Sequence, residues 1–194
     1  MRVISGRAKG RKLKLVPGHT TRPIPEKVKA SLFNVLGNLV PGTRWLDLFA
    51  GTGQVGIEAL SRGASEVVFI DTAPLAIRVI HDNLQHTALT QGTQVTRMDA
   101  LVYLRQPPTA KFDVIFVAPP QYKGIWLEVM KLLDARPQTY LHEGGLVVVQ
   151  IDPREFEELP LTGLVLTDKR RYGDALLCYY ELPGTDTMSP DEEE

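Results

Sequence analysis

The stretch Trp45-Leu-Asp-Leu-Phe-Ala-Gly-Thr-Gly-Gln-Val-Gly56 constrains the fold more than any other part of the chain. It begins as a short apolar run holding one acid. It breaks into glycines and resumes as a helical pattern, Val55-Gly-Ile-Glu-Ala-Leu60. This predicts a strand, a tight turn and a helix start. Gly51-x-Gly53-x-x-Gly56 has the form of a nucleotide-binding fingerprint. Glycine lets the backbone turn sharply and approach a ligand, and the helix N-terminus points free N–H groups at it. Glycines also serve as plain connections, so the flanking chain decides between the two.

From Thr43 on, strands and helices alternate. Strands are expected over 44–49, 66–71, 93–98, 112–117 and 145–151, with a closing pair over 164–170 and 175–182 joined at Arg171-Tyr-Gly-Asp174. Helices are expected from the glycine turn to Arg62 and over 74–89 and 125–133, with an amphipathic one over 26–38 ahead of the first strand. The run 145–151 reads as apolar and therefore central. Continuous apolar strands alternating with helices predict an α/β fold: a doubly wound, mostly parallel sheet covered on both faces. The last hairpin adds an antiparallel strand. Ahead of it, Arg2-Val-Ile-Ser-Gly-Arg and Arg11-Lys-Leu-Lys-Leu-Val16 read as a basic β-hairpin. The expected organisation is a hairpin and connector over 1–24, one domain over 25–183, and an acidic, disordered tail over 184–194.

The net charge of −1 hides an asymmetry. Residues 1–29 hold nine Lys and Arg against one acid, a local charge of +8, while the last four residues are all acidic. Such a basic end suggests a polyanion partner. The single cysteine, Cys178, rules out an internal disulfide framework and fits a reducing compartment. No apolar run approaches a membrane span, and no signal-peptide core is evident, so a cytoplasmic protein without membrane contact is expected. The four histidines show no metal-ligand spacing, and no metal is expected.

In a doubly wound sheet, ligands bind beyond the carboxyl ends of the strands. Asp47, Asp71, Asp99 and Ala118-Pro-Pro-Gln-Tyr122 all fall there. Asp71 lies twenty residues after Gly51, where an acid can take two ribose hydroxyls. Asp99 can meet an adenine edge, cap a helix, or do both. Asp47 stands four residues before Gly51. An anion there suits a cationic ligand better than a pyrophosphate, and S-adenosylmethionine carries an ammonium and a sulfonium.

Asp47-Leu-Phe-Ala-Gly-Thr-Gly53 resembles the first motif of class I methyltransferases. More narrowly, Arg2-Val-Ile-Ser-Gly, Gly10-Arg-Lys-Leu, Arg22-Pro, Leu32-Phe-Asn34, Glu58-Ala-Leu-Ser-Arg-Gly-Ala64 and Arg171-Tyr-Gly-Asp174 resemble the RsmD family, bacterial 16S rRNA guanine-N2 methyltransferases. The resemblance covers residues 1 to about 183. It implies a seven-stranded class I fold, S-adenosyl-L-methionine as methyl donor, and the N2 of a 16S rRNA guanine as acceptor, within a 30S subunit or an assembly intermediate. A monomer is expected. It carries cofactor binding onto Asp47, Gly51, Gly53, Asp71, Asp99 and Ala100, together with their neighbours Ala50, Thr52 and Thr72. Arg7, Lys9, Arg11, Lys12 and Arg22 are the candidate RNA contacts.

The family's fourth motif is Asp-Pro-Pro-Phe/Tyr, and this chain departs from it. Ala118 stands in place of the acid, and Gln121 precedes the aromatic Tyr122. An exocyclic amine is a poor nucleophile because its lone pair is delocalised into the base. An oxygen accepting its N–H bonds localises that pair, and losing one such preorganised partner costs roughly 10²–10³ in rate. Pro119, Pro120, Gln121 and Tyr122 are therefore the catalytic candidates, with the Gln121 amide or the Pro119 carbonyl replacing the acid and Tyr122 stacking on the base. Two alternatives stay open: a cofactor- and RNA-binding protein with weak or no transfer, and a methyltransferase acting on DNA adenine N6.

Overall fold

The alternating runs close into one seven-stranded sheet in the computed structural model, which describes residues 1–18 and 23–184. The strands are β1 (Arg44–Asp47), β2 (Glu66–Asp71), β3 (Thr93–Arg97), β4 (Phe112–Val117), β5 (Leu141–Ile151), β6 (Val165–Tyr172) and β7 (Ala175–Glu181). The helices are α1 (Glu26–Leu36), α2 (Gln54–Ser61), α3 (Pro74–Thr87), α4 (Ala100–Leu104), α5 (Ile125–Ala135) and α6 (Pro137–Tyr140). The strand order is β3-β2-β1-β4-β5-β7-β6. β1 pairs in parallel with both β2 and β4, so the winding reverses at β1. β7 runs antiparallel to β5 and β6, as the closing hairpin predicts.

The sheet is apolar on both faces because side chains alternate along each strand. Trp45, Val67, Phe69, Phe116, Val148 and Leu177 pack under α1, α2 and α3. Leu46, Val68, Ile115, Val147 and Cys178 pack under α4, α5 and α6. Phe33 of α1 stacks on Trp45 with ring centroids 5.4 Å apart. Each such fully buried side chain contributes about 1.5–3 kcal/mol. The edge strand β6 exposes Lys169, Arg170 and Arg171, which discourages sheet-to-sheet pairing. Two large apolar residues beside these helices are exposed: Leu39 lies past Gly37, where α1 has ended, and Leu75 is in the first turn of α3, where Ala76 is buried instead.

The expected N-terminal β-hairpin is present only as a short bridged turn without regular strands. The two runs meet at one isolated bridge, Arg2 with Lys12, where Val3 N–H donates to the Arg11 carbonyl at 2.9 Å, Gly10 N–H to the Val3 carbonyl at 2.8 Å and Leu13 N–H to the Met1 carbonyl at 3.1 Å. Other N–H groups of the segment go to α2. The Glu58 carboxylate accepts from the Ile4 and Ser5 backbone N–H groups at 2.8 and 3.0 Å. Ser61 Oγ accepts from Ala8 N–H at 2.9 Å, and the Ser61 carbonyl from Arg7 N–H at 2.8 Å. Val3, Ala8 and Leu13 are buried in the same core as α1 and α2. The Lys29 ammonium, fully buried, lies 3.4 Å from Glu58 and donates to the Arg2 carbonyl at 2.8 Å. Burial pushes the Lys29 pKa down, and Glu58 opposes that shift. The acidic end, 185–194, lies outside the described residues. Among the described residues, no helix is long and apolar enough to cross a membrane.

Removing one partner of a buried, hydrogen-bonded ion pair leaves the other charge unpaired and costs about 3–5 kcal/mol. Glu58→Ala is therefore expected to lower unfolding free energy by that order in urea titrations, and to open residues before Pro17 to limited proteolysis. Unchanged stability would mean that Glu58 does not anchor the N-terminal segment.

Candidate functional site

The turn after β1 is shaped by its glycines. Gly51 and Gly53 have φ of +55° and +77°, a region that side chains rarely adopt. Gly53 is the N-cap of α2, and its N–H donates to the Ala50 carbonyl at 2.7 Å. Gly56 serves a different end: a Cβ there would lie 2.3 Å from the Phe69 ring, so glycine lets α2 lie close on β2.

This turn forms one wall of a cleft of about 830 Å³ at the carboxyl edge of the sheet. That size is typical of small-molecule sites. The turn contributes Asp47, Ala50, Gly51, Thr52 and Gln54; the end of β2 contributes Asp71 and Thr72; the start of α4 contributes Asp99 and Ala100. Ala118, Pro119, Pro120 and Gln121 follow β4, Gln150 comes from β5, and Tyr172 and Asp174 come from the β6–β7 hairpin. Pro23, Ile24 and Pro25 close the side nearest α1. Of the cofactor candidates, only Gly53 does not line the cleft. Ala118, Pro119, Pro120 and Gln121 line it, whereas Tyr122 does not.

Of the acids lining this space, Asp47, Asp71 and Asp99 are partnered differently. Asp47 is 2% exposed, and its Oδ1 has no hydrogen-bond partner. Burial, and then the nearby Asp71 carboxylate, push its pKa up to about 7, while the Gly56 and Phe49 backbone N–H groups favour the ionised form. Asp71 Oδ2 accepts from Gly51 N–H at 2.8 Å, and its Oδ1 from Ala73 N–H at 2.9 Å. A carboxylate has about four lone-pair sites, so both oxygens can still accept a hydroxyl. Asp99 caps α4 through Oδ1 alone, accepting from Leu101 and Val102 N–H at 2.9 and 3.0 Å. These residues fit S-adenosylmethionine: an orphaned buried anion for its ammonium, an acid at the end of β2 for its ribose, and Asp99 beside Ala100 for its base.

Tyr122 is held elsewhere. It has φ of +58° and is 58% exposed. Its N–H donates to Glu155 Oε1 at 2.6 Å, its hydroxyl donates to Asp152, and the Arg154 guanidinium lies 5.5 Å from its ring centroid. The hydrogen bond to Asp152 pushes the Tyr122 pKa up, and Arg154 and Tyr122 together hold the Asp152 carboxyl well below the usual range. Arg7, Lys9, Arg11 and Lys12 are exposed on the N-terminal segment, away from the cleft lining. Arg11 donates to the His86 carbonyl, and Lys14 pairs with Asp82 at 2.9 Å, which lays this segment across α3. Arg22 lies outside the described residues. Sequence reasoning missed Gln54 and Gln150, whose Oε1 atoms are buried without partners. The available signal for Gln150 was one amide in the run Val147-Val-Val-Gln-Ile151.

The strand order, the reversal at β1 and the acid-lined turn define a class I, S-adenosylmethionine-dependent methyltransferase fold. A solved Escherichia coli structure, described as "Putative methyltransferase yhhF", superposes with a TM-score of 0.83 at 27% identity, covering 94% of this chain and 97% of that one. The chain belongs to the family described as "Conserved hypothetical protein 95", whose model matches residues 1–181, and is a relative of the RsmD proteins. It is 42% identical over 188 residues to the Bacillus subtilis "Putative rRNA methyltransferase YlbH", covering 95% of this chain and all of that one. It is 34% identical over 154 residues to the Haemophilus influenzae "Ribosomal RNA small subunit methyltransferase D", covering 78% and 79%.

The raised Asp47 pKa has two opposite consequences. In the unliganded protein, ionising Asp47 is penalised, so its contribution to stability is intact at acid pH and is lost as pH rises from about 4 to about 7. Asp47→Asn is expected to unfold at higher urea than wild type at pH 8, with the difference shrinking toward pH 5. A bound cation favours the ionised form, so S-adenosylmethionine affinity is expected to gain more in wild type than in Asp47→Asn between pH 6 and 8. Calorimetry in two buffers at pH 6 should also detect proton release in wild type only. Parallel pH profiles for the two proteins would remove Asp47 from the ligand site.

Proposed function

We propose that this protein transfers a methyl group from S-adenosyl-L-methionine to the exocyclic N2 of a guanine in small-subunit rRNA. The observation that carries the reading is the orphaned Oδ1 of buried Asp47, in a cleft that also holds Asp71 and Asp99. A buried carboxylate oxygen without a partner is costly and fits a site whose ligand brings the positive charge. When bound, S-adenosylmethionine supplies a methyl group activated on a sulfonium. Asp47 holds the amino-acid end, Asp71 the ribose, and Asp99 with the Ala100 backbone the adenine. The Ala118–Gln121 segment, beyond β4, borders the space left for the acceptor base. Holding the two reactants in line supplies much of the acceleration, up to about 7–11 kcal/mol in well-oriented cases.

The substrate class rests on the basic segment and on the relatives. Arg7, Lys9, Arg11 and Lys12 stand exposed where phosphates can reach them, and the relatives carry the names "Putative rRNA methyltransferase YlbH" and "Ribosomal RNA small subunit methyltransferase D". Charged contacts of this kind give sequence-independent affinity that falls with salt. Tyr122, if it stacks on the base, must first leave its contacts with Asp152 and Glu155.

Mass spectrometry of 16S rRNA nucleosides from cells with and without the gene tests the reading. We expect one N2-methylguanosine to disappear in the deletion; an unchanged level would reject this acceptor. Replacing Arg7, Lys9, Arg11 and Lys12 together with Ala should flatten the salt dependence of RNA binding, by about 0.7–0.9 in log–log slope for each phosphate no longer neutralised. An unaltered slope would place the RNA on another face.

A further inference from the structure

The chain lacks the motif acid after β4 but offers another oxygen beside its place. β4 and β5 run parallel with Val117 level with Val149. The next residues, Ala118 and Gln150, therefore lie side by side at the carboxyl ends. Val117 and Val149 both pack under α4, α5 and α6, so alternation turns Ala118 and Gln150 toward the opposite face, the face that Asp47 also shares. Both line the cleft. Gln150 Oε1 is buried and has no hydrogen-bond partner. A buried amide oxygen without a donor is rare in folded proteins, and a ligand that donates there accounts for it. Gln54 Oε1 is also unpartnered, but Gln54 belongs to α2 and donates to the Ile24 carbonyl on the far wall.

We propose that Gln150 is a catalytic residue: its Oε1 accepts an N–H bond of the exocyclic amine that receives the methyl group, replacing the acid absent at Ala118. This rests on the amine-methyltransferase reading above. The acceptance draws the nitrogen lone pair out of the base π-system. That pair forms the N–C bond, the S–C bond breaks with its electrons remaining on sulfur, and the proton shed by the nitrogen passes to water. Gln150 stays neutral throughout, acting as an acceptor and not as a base.

The test is single-turnover transfer of labelled methyl from S-adenosylmethionine to 30S subunits isolated from a deletion strain. Gln150→Met keeps the side-chain size and removes the acceptor. It is expected to slow transfer by roughly 10²–10³, with S-adenosylhomocysteine and subunit affinities within about threefold of wild type. Gln150→Glu, which keeps an acceptor, should recover most of the rate. Ala118→Asp introduced into Gln150→Met should recover at least tenfold, because it returns an oxygen to the neighbouring position. A Gln150→Met rate within threefold of wild type overturns the proposal. So does a slow Gln150→Met when Gln150→Glu is equally slow and adding Ala118→Asp restores nothing. If wild type binds S-adenosylhomocysteine yet transfers nothing to these subunits, the rRNA reading itself fails and the proposal falls with it.

Discussion

The ligand edge of this sheet depends on one carboxylate. Asp71 joins the end of β2 to the turn after β1, accepting from Gly51 N–H through one oxygen and from Ala73 N–H through the other. Those bonds set the path of the glycine turn, and the turn sets the start of α2. With α2 fixed and the sheet reversing at β1, helices leave on opposite faces and a crevice opens between them. Asp47 sits at the base of that crevice, too deeply buried to be solvated and with one oxygen unpartnered. The same carboxylate that shapes the turn also raises the cost of ionising its neighbour. The site is thus held in a state that a positively charged ligand relieves.

The basic segment is attached to this machinery and is not a free arm. Glu58 gathers two backbone N–H groups from residues 4 and 5, and Lys29 from α1, on one face of α2. α2 begins at the glycine turn and ends at Ser61, which binds the same segment. The basic side chains and the glycine turn are therefore anchored to one helix. An RNA held on Arg7 and Lys9, as proposed, would have a fixed position relative to the cleft, and a flexible tether would not provide that.

Much of this is legible in the sequence, and the failures share a cause. The strands, the doubly wound sheet and the acids that line the cleft follow from local pattern: apolar runs, glycines, and acids at strand ends. The N-terminal runs form no regular strands and are docked on Glu58 and Ser61, more than fifty residues away, and nothing in the alternation of residues 2–16 reports that docking. α4 has five residues, too few to show a helical period. The place of Tyr122 is set by Asp152 and Glu155, some thirty residues on. Gln150 escapes notice because its neighbours make the strand read as uniformly apolar. Apart from the length of α4, each of these depends on contacts between parts of the chain far apart in sequence.

What fills the space above Asp47 decides the function of this cleft. The most direct measurement is a crystal structure of the protein with S-adenosylhomocysteine bound. The ligand's amino group is expected within hydrogen-bond distance of Asp47 Oδ1, its ribose hydroxyls on Asp71, and its adenine beside Asp99 and Ala100. A ligand bound elsewhere, or bound in the cleft with Asp47 still unpaired, would contradict the assignment.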